Sequence, residues 1–234
     1  PFRSFRLGLS CLSKQFGPRR KLRKGSIKNK QRRRVSFRRF NQRDICRFYL
    51  ISVCFPRPHG YRYFDYLTQE LPEIVGKMFH VSQKREDTFI AGLSMGGYGA
   101  LKAAVTCPEK YSYAASLSGV VDVGTIFESD AFYSLVTFDN KNPRGGAEDI
   151  LLQAKNQIKA GVSLPKLFCA CGQQDFLYES NLRFYRELKD ATDIEFLEEP
   201  GGHVWDFWDR NILRAVNKMP VKQRLREYSQ TFIV

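Results

Sequence analysis

The chain has 234 residues, 43% of them hydrophobic, and a formal net charge of +14, which is enough length to bury one α/β core. It holds no apolar run of membrane-spanning length, no phosphate loop, no metal-ligand cluster and, among six cysteines, no Cys-x-x-Cys pair. A membrane protein, a nucleotide enzyme and a metalloenzyme are therefore not expected, and no cofactor is; reduced, packed thiols suit a cytoplasmic protein.

The charge is uneven. Residues 1–50 carry 17 Lys or Arg against one acid, Asp44, so the remainder is close to neutral. This leader has no sustained hydrophobic period, and runs such as Arg32-Arg33-Arg34 repel when packed, so it reads as disordered. Nonspecific binding to polyanions, a transit peptide, or an out-of-frame stretch are its other readings. No aromatic ladder supports specific nucleic-acid recognition. Phe48 to Phe55 is apolar and β-prone and can supply one strand.

Residues 57–218 form the domain proper, and residues 219–234 a tail with no readable role. A helix is expected from Phe64 to Phe79, its core face made by Leu67, Leu71, Ile74, Val75 and Met78. A strand follows (Phe89 to Ala91), then a turn and a helix (Gly97 to Thr106), then a strand (Tyr113 to Leu117). An insert, Val121 to Ser163, carries Phe127, Phe132, Tyr133, Phe138 and the breaker Asn142-Pro143-Arg144-Gly145-Gly146. Beyond it come a strand (Leu167 to Cys171), a helix (Tyr178 to Lys189), a strand (Ile194 to Leu197) and a helix (Trp205 to Lys218). Alternating strands and helices predict an α/β fold with a mostly parallel sheet covered on both faces.

The chemistry gathers at Gly92-Leu93-Ser94-Met95-Gly96, where a strand turns into a helix. In that context Gly-x-Ser-x-Gly is a nucleophile elbow, which lifts the Ser94 hydroxyl off the strand end and leaves no room for side chains at its flanking glycines. A serine hydroxyl needs a histidine base, and the base needs an acid to fix its tautomer. His203, in Gly201-Gly202-His203, is the one histidine downstream of Ser94 and follows a strand. Asp175 is the first candidate for the acid, because it follows the strand Leu167 to Cys171 and so points toward the same sheet end. Asp122 is the second, while Asp206 and Asp209 suit the first turn of the last helix. The Met95 N–H is the expected oxyanion donor. Tyr98, Phe176 and Trp205 flank the three positions and are candidates for an apolar substrate wall.

From Tyr63 to Trp208 the chain resembles the esterase D-type α/β-hydrolases, above all small bacterial tributyrin and feruloyl esterases, with S-formylglutathione hydrolases as cousins. The resemblance rests on Gly92-Leu93-Ser94-Met95-Gly96-Gly97-Tyr98-Gly99-Ala100, on Cys171-Gly172-Gln173-Gln174-Asp175-Phe176-Leu177-Tyr178 and on Gly201-Gly202-His203-Val204-Trp205-Asp206-Phe207-Trp208. It implies an α/β-hydrolase-type sheet and Ser94, Asp175 and His203 as triad. It also implies a small-molecule substrate: a short-chain acyl ester, a feruloyl-type ester or S-formylglutathione. The family's first strands and its His-Gly oxyanion turn have no counterpart before the elbow, since His59-Gly60 lies too close to it. The sequence thus predicts a serine carboxylester hydrolase. The competing expectation is a catalytically impaired, truncated domain whose basic leader binds polyanions nonspecifically.

Overall fold

The computed structural model describes residues 47–50 (as backbone), 62–129 and 141–220, all within the compact unit Phe40–Val234. The leader as far as residue 46, His59-Gly60, insert residues 130–140 and the tail from residue 221 lie outside the described residues.

Five strands form one sheet in the order β1-β2-β3-β4-β5: β1 (Arg47–Leu50), β2 (Thr88–Leu93), β3 (Tyr113–Leu117), β4 (Lys166–Gly172) and β5 (Ile194–Glu199). Every neighbouring pair is parallel, with Ala91 beside Leu50 and Ala115, and Ala170 beside Leu117 and Leu197. Parallel neighbours require a crossover between them, which is why the sequence alternates strand and helix. β1 begins earlier than the segment Phe48 to Phe55 marks out, and lies at the end of the stretch assigned to the leader.

The period-2 alternation of the strands sorts their side chains into two cores. Ile90, Ala114, Leu167, Cys169 and Cys171 face one core, closed by α3 (Met95–Thr106), α5 (Ile150–Lys159) and α6 (Tyr178–Leu188). Phe89, Ala91, Tyr113, Ala115, Leu117, Phe168 and Ala170 face the other, closed by Phe207, Trp208 and Ala215 of α7 (Trp205–Lys218) and by Met219. Helices on both faces of a parallel sheet are what the alternation predicts. Among the described residues, no helix is long and apolar enough to cross a membrane.

One local expectation needs correction. The first helix is three segments: α1 (Tyr63–Asp65), a π-helical stretch (Tyr66–Glu70) and α2 (Leu71–Met78). A π turn inserts a residue and rotates the following stripe by about 100°. Leu67 is therefore buried while Ile74 and Met78, expected in the core, are exposed. The insert is also more regular than its breakers suggest. It holds α4 (Val123–Ser129) and α5, the latter capped by the Asp149 carboxylate, which accepts from Leu152 N–H at 3.0 Å.

Candidate active site

The site stands at the carboxyl ends of β2, β4 and β5. Ser94 follows β2 with φ 53° and ψ −120°, outside the regions a non-glycine residue ordinarily occupies. Such a residue costs of order 1–3 kcal/mol and persists only where its surroundings dictate it. Here Ser94 N–H donates to Leu117 carbonyl at 2.8 Å, and the Ser94 carbonyl accepts from Val120 N–H and Tyr98 N–H at 3.3 and 3.2 Å. A Cβ on Gly92 would lie 2.1 Å from the Gly96 carbonyl oxygen, so the first glycine of the motif is needed for the close return of the chain.

Asp175 sits on the turn after β4, closed by its own N–H to the Gly172 carbonyl at 2.9 Å. His203 lies on the loop after β5, and backbone contacts join the two segments. Gln173 N–H donates to Glu199 carbonyl at 3.0 Å, Gln174 N–H to Gly201 carbonyl at 2.9 Å, and Gly201 N–H to Gln174 Oε1 at 2.6 Å. They approach so closely that a Cβ on Gly172 would fall 2.1 Å from the Gly201 carbonyl oxygen.

This backbone frame brings the three side chains into line. His203 Nε2 is 3.0 Å from Ser94 Oγ, and His203 Nδ1 is 2.9 Å from Asp175 Oδ2 and 3.2 Å from Oδ1. With Nδ1–H donating to the carboxylate, Nε2 carries a free lone pair that faces the Ser94 hydroxyl. The Asp175 side chain has no exposed surface. Burial by itself raises its carboxyl pKa, but hydrogen bonds from His203, the Leu177 N–H and the Ser118 hydroxyl, together with the charge on His203, outweigh burial and hold it below the usual value. The acid therefore stays ionised. The His203 ring is held by Phe176, with ring centres 4.8 Å apart, and by the edge of Trp208 at 4.8 Å.

The rival acids are placed elsewhere. Asp122 pairs with Arg183 and, at 3.5 Å, with Arg144, while Asp206 lies exposed in the first turn of α7 and Asp209 is exposed one turn on. Met95 is the first residue of α3, where a backbone N–H has no acceptor one turn back. Phe176 and Trp205 stand at the mouth beside His203, 73% and 54% exposed, with Trp205 edge-on to Trp208 at 5.3 Å. Tyr98 is a correction. It has no surface open to a ligand, and its hydroxyl donates to Glu148 Oε2 at 2.6 Å. Lys102, one turn further along α3, holds the same carboxylate at 2.7 and 2.8 Å, so this face of the elbow helix anchors the end of the insert. Sequence reasoning missed Ser118 and the role of Trp208. Trp208 lies within a quoted motif, but nothing in the composition around Ser118 distinguishes it.

Residues 38–219 match the family model Esterase, described as "Putative esterase". The chain belongs to the Esterase family. This esterase-family chain is 35% identical over 167 residues to an acetyl esterase of Caldicellulosiruptor saccharolyticus, covering 66% of this chain and 62% of that protein. Its fold is similar to FphF, a fluorophosphonate-binding serine hydrolase of Staphylococcus aureus, with TM-score 0.65 and 34% identity over 70% of this chain and 66% of that one. It is similar also to the S-formylglutathione hydrolase FrmB of the same organism, with TM-score 0.64 and 34% identity over 71% and 66% of the two chains. A ferulic acid esterase shares the fold at TM-score 0.57 and 22% identity, covering 72% of this chain and 62% of that one. The resemblance read from the three motifs is borne out. The chain spans 62% of the length of the acetyl esterase it matches.

Proposed function

We propose that the chain is a serine carboxylester hydrolase working through an acyl-enzyme on Ser94, with His203 as base and then acid and Asp175 as its orienting acid. The observation that carries this reading is the unbroken line from Ser94 Oγ to His203 Nε2 at 3.0 Å and from His203 Nδ1 to Asp175 Oδ2 at 2.9 Å. His203 Nε2 takes the Ser94 proton as Oγ bonds to the ester carbonyl carbon, and the carbonyl electron pair moves to oxygen. The Met95 N–H at the head of α3 stabilises that oxyanion, aided by the positive end of the helix. The tetrahedral intermediate collapses, the C–O bond to the alcohol breaks, and His203 Nε2–H protonates the departing alkoxide. Water then gives a proton to His203 and its oxygen to the acyl carbon; collapse releases the acid, and the proton returns to Ser94 Oγ.

Short-chain acyl esters and feruloyl-type esters are the proposed substrates, with the thioester of S-formylglutathione as a further one. The acetyl esterase and S-formylglutathione hydrolase named above support the short acyl group. The exposed rings of Phe176 and Trp205 beside the triad support an apolar substrate portion. The test is intact-mass labelling by a fluorophosphonate, with Ser94→Ala in parallel. One adduct on the parent chain and none on the variant is the expected result; a folded parent that takes no adduct would refute the reading and leave an impaired domain.

A further inference from the structure

The His203 imidazole has one buried and one exposed aromatic neighbour. The buried one is Trp208, with ring centres 4.8 Å apart at 89° and its indole N–H donating to Ser118 Oγ at 3.1 Å. The exposed one is Phe176, the residue after Asp175, with ring centres again 4.8 Å apart but tilted at 48°. Val204 and Trp205, which follow His203 directly, are exposed as well, and Trp205 stands edge-on to Trp208 at 5.3 Å. Apolar side chains exposed singly are ordinary, but three of them gathered about one imidazole mark a surface that something apolar covers.

The chemistry of the site says which part of an ester that is. In the tetrahedral intermediate, the carbon bonded to Ser94 Oγ carries three other groups: the oxyanion, the leaving oxygen and the acyl chain. The oxyanion turns to the Met95 N–H at the head of α3. The leaving oxygen must meet the base, because His203 Nε2–H protonates it as the C–O bond breaks. Nε2 is 3.0 Å from Ser94 Oγ, so the leaving oxygen is held within hydrogen-bond reach of the imidazole and its substituent continues past that ring. The acyl chain departs from the same carbon in another direction. Open side chains packed about the imidazole therefore meet the alcohol portion first.

We propose that Phe176, Val204 and Trp205 form the subsite for the leaving alcohol, and that the alcohols it takes are aromatic. The inference rests on the serine hydrolase reading above and assigns the apolar portion of the substrate to the alcohol side of the ester bond. Two exposed rings recognise a flat apolar group through offset and edge contacts. The assignment has a kinetic signature. The alcohol leaves in the first half of the reaction, and the acyl-enzyme that remains is the same whatever the alcohol was. A side chain that touches only the alcohol therefore acts on acylation and not on deacylation. A side chain that merely steadies His203 acts on both, because the imidazole transfers protons in both halves. Phe176 also touches the base, so Trp205, which packs on Trp208 instead, separates the two roles more cleanly.

The experiment compares benzyl acetate with methyl acetate, which share an acyl group and release alcohols of similar acidity, in the full chain and in its Phe176→Leu and Trp205→Leu variants. Both side chains are exposed, so the variants should fold as the parent does. The kcat/KM values report acylation, and the decay of the acetyl-enzyme formed in a burst with p-nitrophenyl acetate reports deacylation. The benzyl-to-methyl ratio of kcat/KM is expected to fall about 10-fold in Phe176→Leu and about fivefold in Trp205→Leu, with no matching loss in deacylation. Equal losses on both esters, or an equal loss in deacylation, would overturn the proposal and leave Phe176 as a support of His203. A loss that follows acyl length, read with p-nitrophenyl butyrate against the acetate, would put the rings on the acyl side and overturn it too. A folded parent without Ser94-dependent turnover would refute the hydrolase reading instead, and the subsite is then decided by NMR. The chain has two tryptophans, so the Trp205 indole N–H signal is assigned by its loss in Trp205→Leu. Benzyl alcohol should shift that signal saturably in the parent, and at severalfold higher concentration in Phe176→Leu; no saturable shift in the parent would overturn the proposal.

Discussion

Asp175→Asn changes one atom of the acid and tests the triad most directly. The Leu177 N–H donates to Asp175 Oδ1 at 2.9 Å, so an asparagine keeps its carbonyl there to satisfy that buried donor. Its amide NH2 then falls where Oδ2 lay, 2.9 Å from His203 Nδ1. Two donors cannot share that bond. His203 must present an unprotonated Nδ1, and its proton moves to Nε2, the atom that faces Ser94 Oγ at 3.0 Å. A protonated Nε2 cannot act as base. The wrong tautomer in a comparable triad costs about 10⁴ in kcat, which is about 5.4 kcal/mol of barrier at about 1.36 kcal/mol per decade. The assay is kcat on p-nitrophenyl acetate and the rate of fluorophosphonate labelling, with thermal melting to show that the near-isosteric variant is folded. Asp122→Asn is the internal control. Its carboxylate lies on Arg183 and Arg144 and not on His203, so kcat should change less than about threefold. A folded Asp175→Asn chain that keeps more than a tenth of the parent kcat would refute the assignment of the acid.

Three further outcomes follow from the same contacts. Because the Asp175 carboxyl sits below its ordinary value of 3.8 in the folded chain, the stability it contributes is fully present above that pH and is lost as pH falls through the lower folded value; the difference in melting temperature between the parent and Asp175→Asn should therefore shrink below about pH 4. Gly92→Ala places a Cβ 2.1 Å from the Gly96 carbonyl oxygen, and should cost about 3 kcal/mol or more in denaturant unfolding and abolish labelling of Ser94. Glu148→Gln removes the charge that Lys102 and Tyr98 both hold, with the Lys102 and Glu148 side chains only 8% and 14% exposed, and should lower stability by about 3 kcal/mol while leaving KM unchanged.

What the sequence disclosed was what has a local signature. The elbow is legible because strand, turn and helix must all be encoded within a few residues of Ser94, and the glycine at 92 is imposed by a contact only four residues away. Asp175 and His203 are legible because each follows a strand that announces itself by its apolar run. Other features depend on partners distant in sequence. Nearness to Ser94 marks Tyr98 as a candidate pocket residue, whereas its contact is set by Glu148, fifty positions later. Ile74 and Met78 kept the helical period but lost the core, because a π turn leaves no mark in a hydrophobicity pattern. The helix α5 does have a signal, Asp149 as cap followed by Ile150, Ala154 and Ile158, in an insert to which the sequence reading assigns no elements.

The strand order explains why the proposed triad needs its bridge and why β3 matters to it. Neighbouring strands are about 4.8 Å apart, so the ends of β2 and β4 stand roughly 10 Å from each other, too far for a serine to meet a carboxylate. An imidazole with one hydrogen bond of 3.0 Å and another of 2.9 Å on opposite nitrogens fits that separation, and the loop after β5 delivers it. The intervening strand end must then be small enough to leave the bridge in place. Its residues are Ser118 and Gly119, and even a Cβ on Gly119 would lie 2.2 Å from Ser116 Oγ. A bulky replacement such as Ser118→Leu, at a fully buried position, should therefore abolish labelling of Ser94 by displacing the bridge, whereas Ser118→Gly should leave labelling in place. If the two variants behaved alike, size would not govern the end of β3.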